Sequence, residues 1–385
     1  MYNIATLNKI AACGTDLFDK SKYTITEDIG SSNAVMVRSA SMLDMEMPGS
    51  LLAIARAGAG VNNIPVEKCA DLGICVFNTP GANANAVKEL VICALFLTSR
   101  DITGAVDWAK TLKGKGAEVG KLVEKGKSQF VGPEISGKTL GIIGLGAIGV
   151  LVANAAVSLG MNVIGFDPYL SVKSALGLKP NIKVTNEIKD VYAAADYISL
   201  HLPYNAQTKN TVNEESLALM KDGVRILNFA RGELCDNAAI LAALESGKMG
   251  AYAVDFPADE VIGVKGVVAI PHLGASTPES EDNCAVMAAL ELIDYLENGN
   301  ITNSVNLPDA SMSAVGTKIC IIHKNVPDVI SKCTTVLGNA GINIENMINK
   351  SKKDYSYTMI DAIGDVSGVA DKIESICNVI RVRVI

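Results

Sequence analysis

The sequence has no excess of basic residues, no paired cysteines and no long uncharged apolar run, and each absence removes a class of function. Lys and Arg number 34 against 41 Asp and Glu, a formal net charge of −7, the wrong sign for a general binder of nucleic-acid backbones. An anionic small substrate would need a local basic pocket within an acidic whole. Nine cysteines lie scattered at 13, 69, 75, 93, 235, 284, 320, 333 and 377, with no CxxC, so no metal site is expected. Most, like Cys93 in ELVICALFL, stand in apolar runs, where cysteine acts as a small core hydrophobe. An odd count in a long chain favours a reducing compartment. No stretch of about 18 uncharged apolar residues occurs, and MYNIATLNKIAACG has neither the basic flank nor the apolar segment of a leader. A cytoplasmic protein without nucleic-acid or membrane partners is expected. Histidine is scarce, with only three, which narrows any search for a general base.

What is present is alternation. At 385 residues and 49% apolar, the chain is long enough for two or three cores. Short β-rich runs (IATL, AVMVRS, LLAIARA, ICVFN) alternate with helical segments over residues 1–97, the pattern of a parallel sheet covered on both faces. One long apolar helix is expected from Asn85 to Leu112. Six lysines from Lys110 to Lys127, against Glu118 and Glu124, read as a solvated face, or else as a segment reaching a neighbouring subunit's phosphate site. A second alternating unit spans 98–276, with strands TLGIIG, NVIGFD, YISLH, VRILNFA, AYAVDF and VVAIP. The helical run Pro278–Asn298 is expected to return to the first domain, completing it over about 277–310. Residues 316–385 read as strand–helix–strand–strand–helix–strand, the ferredoxin-like order, in a small self-contained module. The fold class is therefore α/β: two doubly wound Rossmann-like parallel-sheet domains plus a C-terminal ferredoxin-like βαββαβ module.

Gly144-Leu-Gly146-Ala-Ile-Gly149 follows one strand and opens a helix. Gly144 suits a tight turn, Gly146 a close approach to pyrophosphate, and Gly149 close helix–strand packing, with the helix N-terminus facing the phosphates. Glycines alone are a weak signal. Here the next strand ends at Asp167, roughly 20 residues on, as expected for the acid that binds a ribose hydroxyl pair. No cation follows before Lys173, so NAD is preferred over NADP.

If a nicotinamide cofactor here exchanges hydride with a hydroxy acid, the chemistry needs a base for the hydroxyl proton, a cation for the carboxylate and an acid to tune the base. His272 in AIPHLGAST and His201 in ISLHLP both stand at C-terminal strand ends, where ligands bind in open α/β sheets. Arg231 leaves VRILNFA at the same edge, and its fork suits a two-point grip on a carboxylate. Glu260 lies in the loop upstream of His272, where a carboxylate would orient an imidazole and raise its pKa. Singly, each residue has an ordinary reading as a solvated charge or core histidine; their common placement at strand ends joins them.

Taken together, GLGAIG, FDP, SLHLPYNAQTKN, NFARGE, AVDF and PHLGAST resemble the D-isomer-specific 2-hydroxyacid dehydrogenases over nearly the whole chain. The resemblance implies a catalytic set of Arg231, Glu260 and His272. It also implies NAD contacts from Ala147, Ile148, Asp167, His201, Leu202, Pro203, Thr208, Phe229, Ala230, Asp255, Gly274 and Ala275, with Asp255 on the nicotinamide amide. Two departures stand out. The loop Asp255-Phe256-Pro257-Ala258-Asp259-Glu260 lacks the family's Asp-Val-Phe order, which leaves Asp259 as an alternative partner of His272. Ala147 replaces a frequent Arg in the glycine loop.

VRSAS and ARAGAGVNNI resemble the branch of the family acting on 3-phosphoglycerate. That branch implies substrate contacts from Arg38, Arg56, Ala59, Gly60 and Val61, and oxidation to 3-phosphohydroxypyruvate at the entry to serine biosynthesis. Residues 316–385 resemble an ACT domain, which implies an L-serine effector site at His323, Asn325 and Asn343 and a homodimer or homotetramer. Its turn carries Pro327-Asp328 where Pro-Gly is usual. Two other functions compete: a glyoxylate or hydroxypyruvate reductase on the same scaffold, and a non-catalytic NAD-sensing binding protein of the corepressor type.

Overall fold

A computed structural model describes all 385 residues, which divide into two units, Met1–Asn83 with Pro278–Ile385, and Ala84–Thr277. In the first unit, β1 (Tyr2–Leu7), β2 (Tyr23–Thr26), β3 (Ala34–Val37), β4 (Ala53–Arg56) and β5 (Cys75–Asn78) form a parallel sheet in the order β2-β1-β3-β4-β5. All four residues of β3, Ala-Val-Met-Val, are buried, as a strand covered on both faces requires. One cover is the helix Pro278–Asn298, whose Ala288, Leu292 and Tyr295 pack among Ile4, Met36 and Phe77.

The second unit carries β6 (Thr139–Ile143), β7 (Asn162–Phe166), β8 (Lys183–Thr185), β9 (Tyr197–Leu200), β10 (Val224–Asn228), β11 (Met249–Val254) and β12 (Val267–Ala269). Its order is β12-β11-β10-β9-β6-β7-β8, parallel throughout. The chain runs outward from β6 to β8, then crosses to β9 on the other side of β6. That reversal opens a crevice at the C-terminal ends of β6 and β9.

The boundary between the units lies at Asn83/Ala84 rather than after residue 97. The helix Ala84–Ser99 explains the difference: Val87, Val91, Ala94 and Leu95 bury against Leu140, Ile142 and Ala253 of the second sheet. Nor does one helix run to Leu112. It stops at Ser99, and Asp101 caps a new helix, Ile102–Lys110, by accepting from the Gly104 N–H at 2.9 Å. Within the lysine-rich stretch, Lys110 pairs with Asp107 and Lys127 with Glu124 at exposed positions.

At the C-terminus β13 (Thr317–Lys324), β14 (Asn343–Lys352), β15 (Tyr355–Ile363) and β16 (Val379–Val384) form an antiparallel sheet ordered β14-β15-β13-β16. With the helices Val329–Asn339 and Val369–Glu374 they complete the βαββαβ order. The module is not self-contained, contrary to the sequence expectation. Ile319, Ile321 and Ile360 pack under its own helices. On the other face Cys320, Ile322, Tyr357 and Met359 join the core around the helix Pro278–Asn298. The last carbonyls of a helix lack intrahelical donors, and here the module adds donors to them. Arg383 donates to Tyr295 O and Leu296 O at 3.1 and 2.9 Å, Lys318 to Asn298 O at 2.6 Å, and Tyr357 to Gly299 O at 2.6 Å. Further out, Lys324 Nζ and Tyr355 OH both donate to Asp71 Oδ1 at 2.7 Å.

Candidate active site

The glycine turn has the geometry its sequence demands. Gly144 has φ +98°, and a Cβ there would lie 2.5 Å from the His201 carbonyl. A Cβ at Gly149 would lie 1.9 Å from the Gly144 carbonyl, so the turn closes only around glycine. Gly146 caps the helix Ala147–Ser158 and faces open space, with nothing within 4 Å of a Cβ placed on it. The space in front of the N–H groups of Ala147 and Ile148 is therefore clear, as an anion site at a helix N-terminus requires. At the end of β7 the Asp167 carboxylate accepts from the Leu145 N–H at 2.9 Å and the Tyr169 N–H at 2.8 Å. These bonds fix its direction beside the glycine turn.

Across the crevice, His201 Nε2 bonds Ser199 Oγ at 2.9 Å. Burial pushes His201 down to about 4, so it is neutral near pH 7 and unsuited to hold a charge. The following loop ties itself together: the Thr208 hydroxyl donates to Pro203 O at 2.6 Å and accepts from the Asn205 N–H at 2.9 Å. Leu202, Pro203 and Thr208 thus belong to one braced segment. Phe229 is buried and Ala230 half-buried at the end of β10.

Four charged or titratable side chains meet at the ends of β10, β11 and β12. Arg231 follows β10, and Asn228 holds the turn by donating to Arg231 O at 2.8 Å and accepting from the Ala230 N–H at 3.3 Å. Asp255 follows β11 and is only 2% exposed. Its Oδ1 is buried with no hydrogen-bond partner, and burial raises it to about 6 against the pull of Arg231. Such an orphaned acceptor fits an incoming N–H donor, as expected of a group that holds a nicotinamide amide. Gly274 adjoins it, since a Cβ there would lie 3.8 Å from Asp255 Oδ2.

Glu260 accepts from Asn237 Nδ2 at 3.0 Å; its own backbone N–H first, and this bond second, hold it below the usual carboxylate range. An open cleft of about 840 Å³ is lined by Gly232, Asp255, Phe256, Glu260 and His272 among others. Asp259, the alternative partner of His272, is not part of that lining. Three further members were not anticipated as site residues. Asn228 and Asn237 brace Arg231 and Glu260, and the Phe256 ring lies 4.1 Å from that of His272. The Asn in NFARGE was a readable signal for the first; nothing in the spacing indicated the other two.

The expected substrate residues stand in the first unit. Arg38 Nη2 pairs with Glu281 Oε1 at 2.6 Å, both partly exposed. Arg56 Nε donates to Arg38 O at 3.1 Å, and its guanidinium lies against Gly58, which has φ +152°. The Ala59-Gly60-Val61 loop is anchored by Asn78, which donates to Ala59 O at 2.5 Å. In the C-terminal module His323 is 2% exposed. Its two ring nitrogens bond Lys324 O at 2.8 Å and Thr358 Oγ1 at 2.9 Å. Asn325 donates to Lys353 O at 3.1 Å, while Asn343 is exposed. Asp328 adopts the left-handed conformation, φ +71°, that glycine accommodates more readily.

Residues 95–274 match the NAD-binding domain of the D-isomer-specific 2-hydroxyacid dehydrogenases. A D-3-phosphoglycerate dehydrogenase of Methanocaldococcus jannaschii is 33% identical over 77% of this chain and 56% of its own length. One of Haemophilus influenzae is 32% identical over 99% of this chain and 94% of its own. Among solved structures, an NAD+-bound 3-phosphoglycerate dehydrogenase of Entamoeba histolytica has a TM-score of 0.63 at 25% identity, covering 79% of this chain and 98% of that one. The chain spans about half the length of several curated relatives it matches.

Proposed function

Because this chain belongs to the D-isomer-specific 2-hydroxyacid dehydrogenase family, whose cofactor is NAD, we infer that it oxidises D-3-phosphoglycerate to 3-phosphohydroxypyruvate. The observation that carries the reading is the cleft at the strand ends, where Glu260 and His272 share a wall with the buried Asp255 and the turn after Arg231.

In this reading Arg231 grips the substrate carboxylate through its two-pronged fork. Neutral His272 takes the C2 hydroxyl proton as the C2–H bond breaks. NAD, when bound, supplies the hydride acceptor. Glu260, kept ionised by its own backbone and Asn237, opposes the charge that His272 gains. Asp255 offers its free oxygen to the nicotinamide carboxamide, Asp167 the ribose hydroxyls, and the glycine turn the pyrophosphate. Arg38 and Arg56 supply the positive charge for the phosphate. In the first unit Arg38 is already matched by Glu281, so the doubly charged phosphate must compete with a carboxylate. An unphosphorylated acid such as hydroxypyruvate or glyoxylate would make no use of the Arg38 and Arg56 charges.

The test is NADH formation from 3-phosphoglycerate by the wild-type protein and by Arg231→Ala. The variant should lose roughly a hundredfold or more in kcat/KM; an unchanged rate would remove the catalytic assignment and favour an NAD-binding protein without turnover. The C-terminal module is read as a serine sensor in a homodimeric or homotetrameric enzyme. His323 would then have to exchange one of its two present bonds for the ligand, and calorimetric titration with millimolar serine reads that directly.

A further inference from the structure

We propose that Phe256 is a positioning residue of the active-site cleft, its ring holding Arg231 and His272 in mutual order while favouring the protonated imidazole. The proposal rests on the catalytic reading of those two residues. Their environment poses a specific difficulty. Arg231 is charged at all working pH values, and His272 must accept a second positive charge in the same cleft when it takes the hydroxyl proton. Unmitigated, the two cations repel and the base is weakened.

Phe256 is in contact with both. The Arg231 guanidinium carbon lies 5.3 Å from the centre of the Phe256 ring, and the His272 ring centre lies 4.1 Å from it at an interplanar angle of 42°. The negative face of an aromatic ring attracts a cation at such distances, so one ring draws on both charges. It is also held firmly. Asp255 before it is buried at the end of β11, Pro257 after it has a restricted φ, and the turn after β10 packs so closely that a Cβ on Gly232 would lie 3.0 Å from Phe256 O. A phenyl ring has only two side-chain torsions, so ordering it loses little freedom. Glu260 supplies the opposing charge while bonded to Asn237; the ring adds a contact made directly on the imidazole face.

The direct test is a pH titration of the imidazole signals by NMR in protein with labelled histidine. With three histidines in the chain, a His272→Gln variant assigns the relevant signal. Replacing Phe256 by Leu or Met keeps apolar bulk without a ring face. Each should lower the His272 midpoint by roughly half a pH unit, move the acid limb of kcat/KM for oxidation down by the same amount and reduce kcat severalfold. Phe256→Tyr should restore all three towards wild type. A wild-type midpoint in the Leu and Met variants would overturn the proposal, as would a Tyr variant shifted as far as Leu. Because the NMR midpoint needs no turnover, it reads on Phe256 even if the Arg231→Ala assay disproves the catalytic reading.

Discussion

Replacing Glu291 by Gln should flatten the pH dependence of stability, and the size of the effect follows from its surroundings. Glu291 lies in the helix Pro278–Asn298 at 8% exposure. Oε1 accepts from Asn303 Nδ2 at 2.8 Å, whereas Oε2 is buried with no partner. Burial, with Asp309 adding repulsion, raises Glu291 to about 8 from an ordinary 4.5. The folded protein therefore keeps a proton that the unfolded chain releases, so stability is full below about pH 4.5 and falls as pH rises towards 8. At about 1.4 kcal/mol per pKa unit the whole window amounts to at most about 5 kcal/mol, and local hydration reduces it to about 2–3 kcal/mol. Glutamine has the same shape and the Asn303 bond but no charge. Urea denaturation followed by circular dichroism should give matching midpoints for Glu291→Gln and wild type near pH 5, with the variant more stable above pH 8. Parallel curves across that range would refute the reasoning, because they would mean that Glu291 ionises without penalty.

Two other substitutions probe the fold. Gly144→Ala forces a Cβ to within 2.5 Å of the His201 carbonyl at φ +98°, which costs about 1–3 kcal/mol and should weaken NADH binding roughly tenfold or more by fluorescence titration. Arg383→Met removes one donor each from Tyr295 O and Leu296 O, which keep the Gly299 N–H and Tyr2 OH, so it should destabilise the first unit by about 1–2 kcal/mol; faster hydrogen exchange in the last turn of the helix Pro278–Asn298 would accompany it.

The alternation of strands and helices and the glycine turn were legible because each rests on local pattern. So was the placing of Arg231 and His272 at strand ends, since an apolar run that stops at a polar residue marks the sheet edge. The short edge strands β2 and β8 were not. Lys183–Thr185 alternates no apolar residues and is a strand only through pairing with β7. The break between the helices Ala84–Ser99 and Ile102–Lys110 was readable in Asp101, a capping residue before an apolar pair, but the longer apolar period obscured it. Burial of the C-terminal sheet on both faces was implicit in Ile319-Cys320-Ile321-Ile322, since four apolar residues in succession leave no polar face for water. The contact of Phe256 with Arg231 and His272 joins the turns after three strands, a long-range coincidence that spacing along the chain does not encode.

The substrate assignment is tested by comparing kcat/KM with NADH for 3-phosphohydroxypyruvate against hydroxypyruvate. If Arg38 and Arg56 bind the phosphate, the phosphorylated acid should be preferred by roughly a hundredfold, as a charge-assisted contact of about 2–3 kcal/mol implies. Equal values, or a preference for hydroxypyruvate, would contradict the assignment and make the protein a reductase of unphosphorylated acids on the same scaffold.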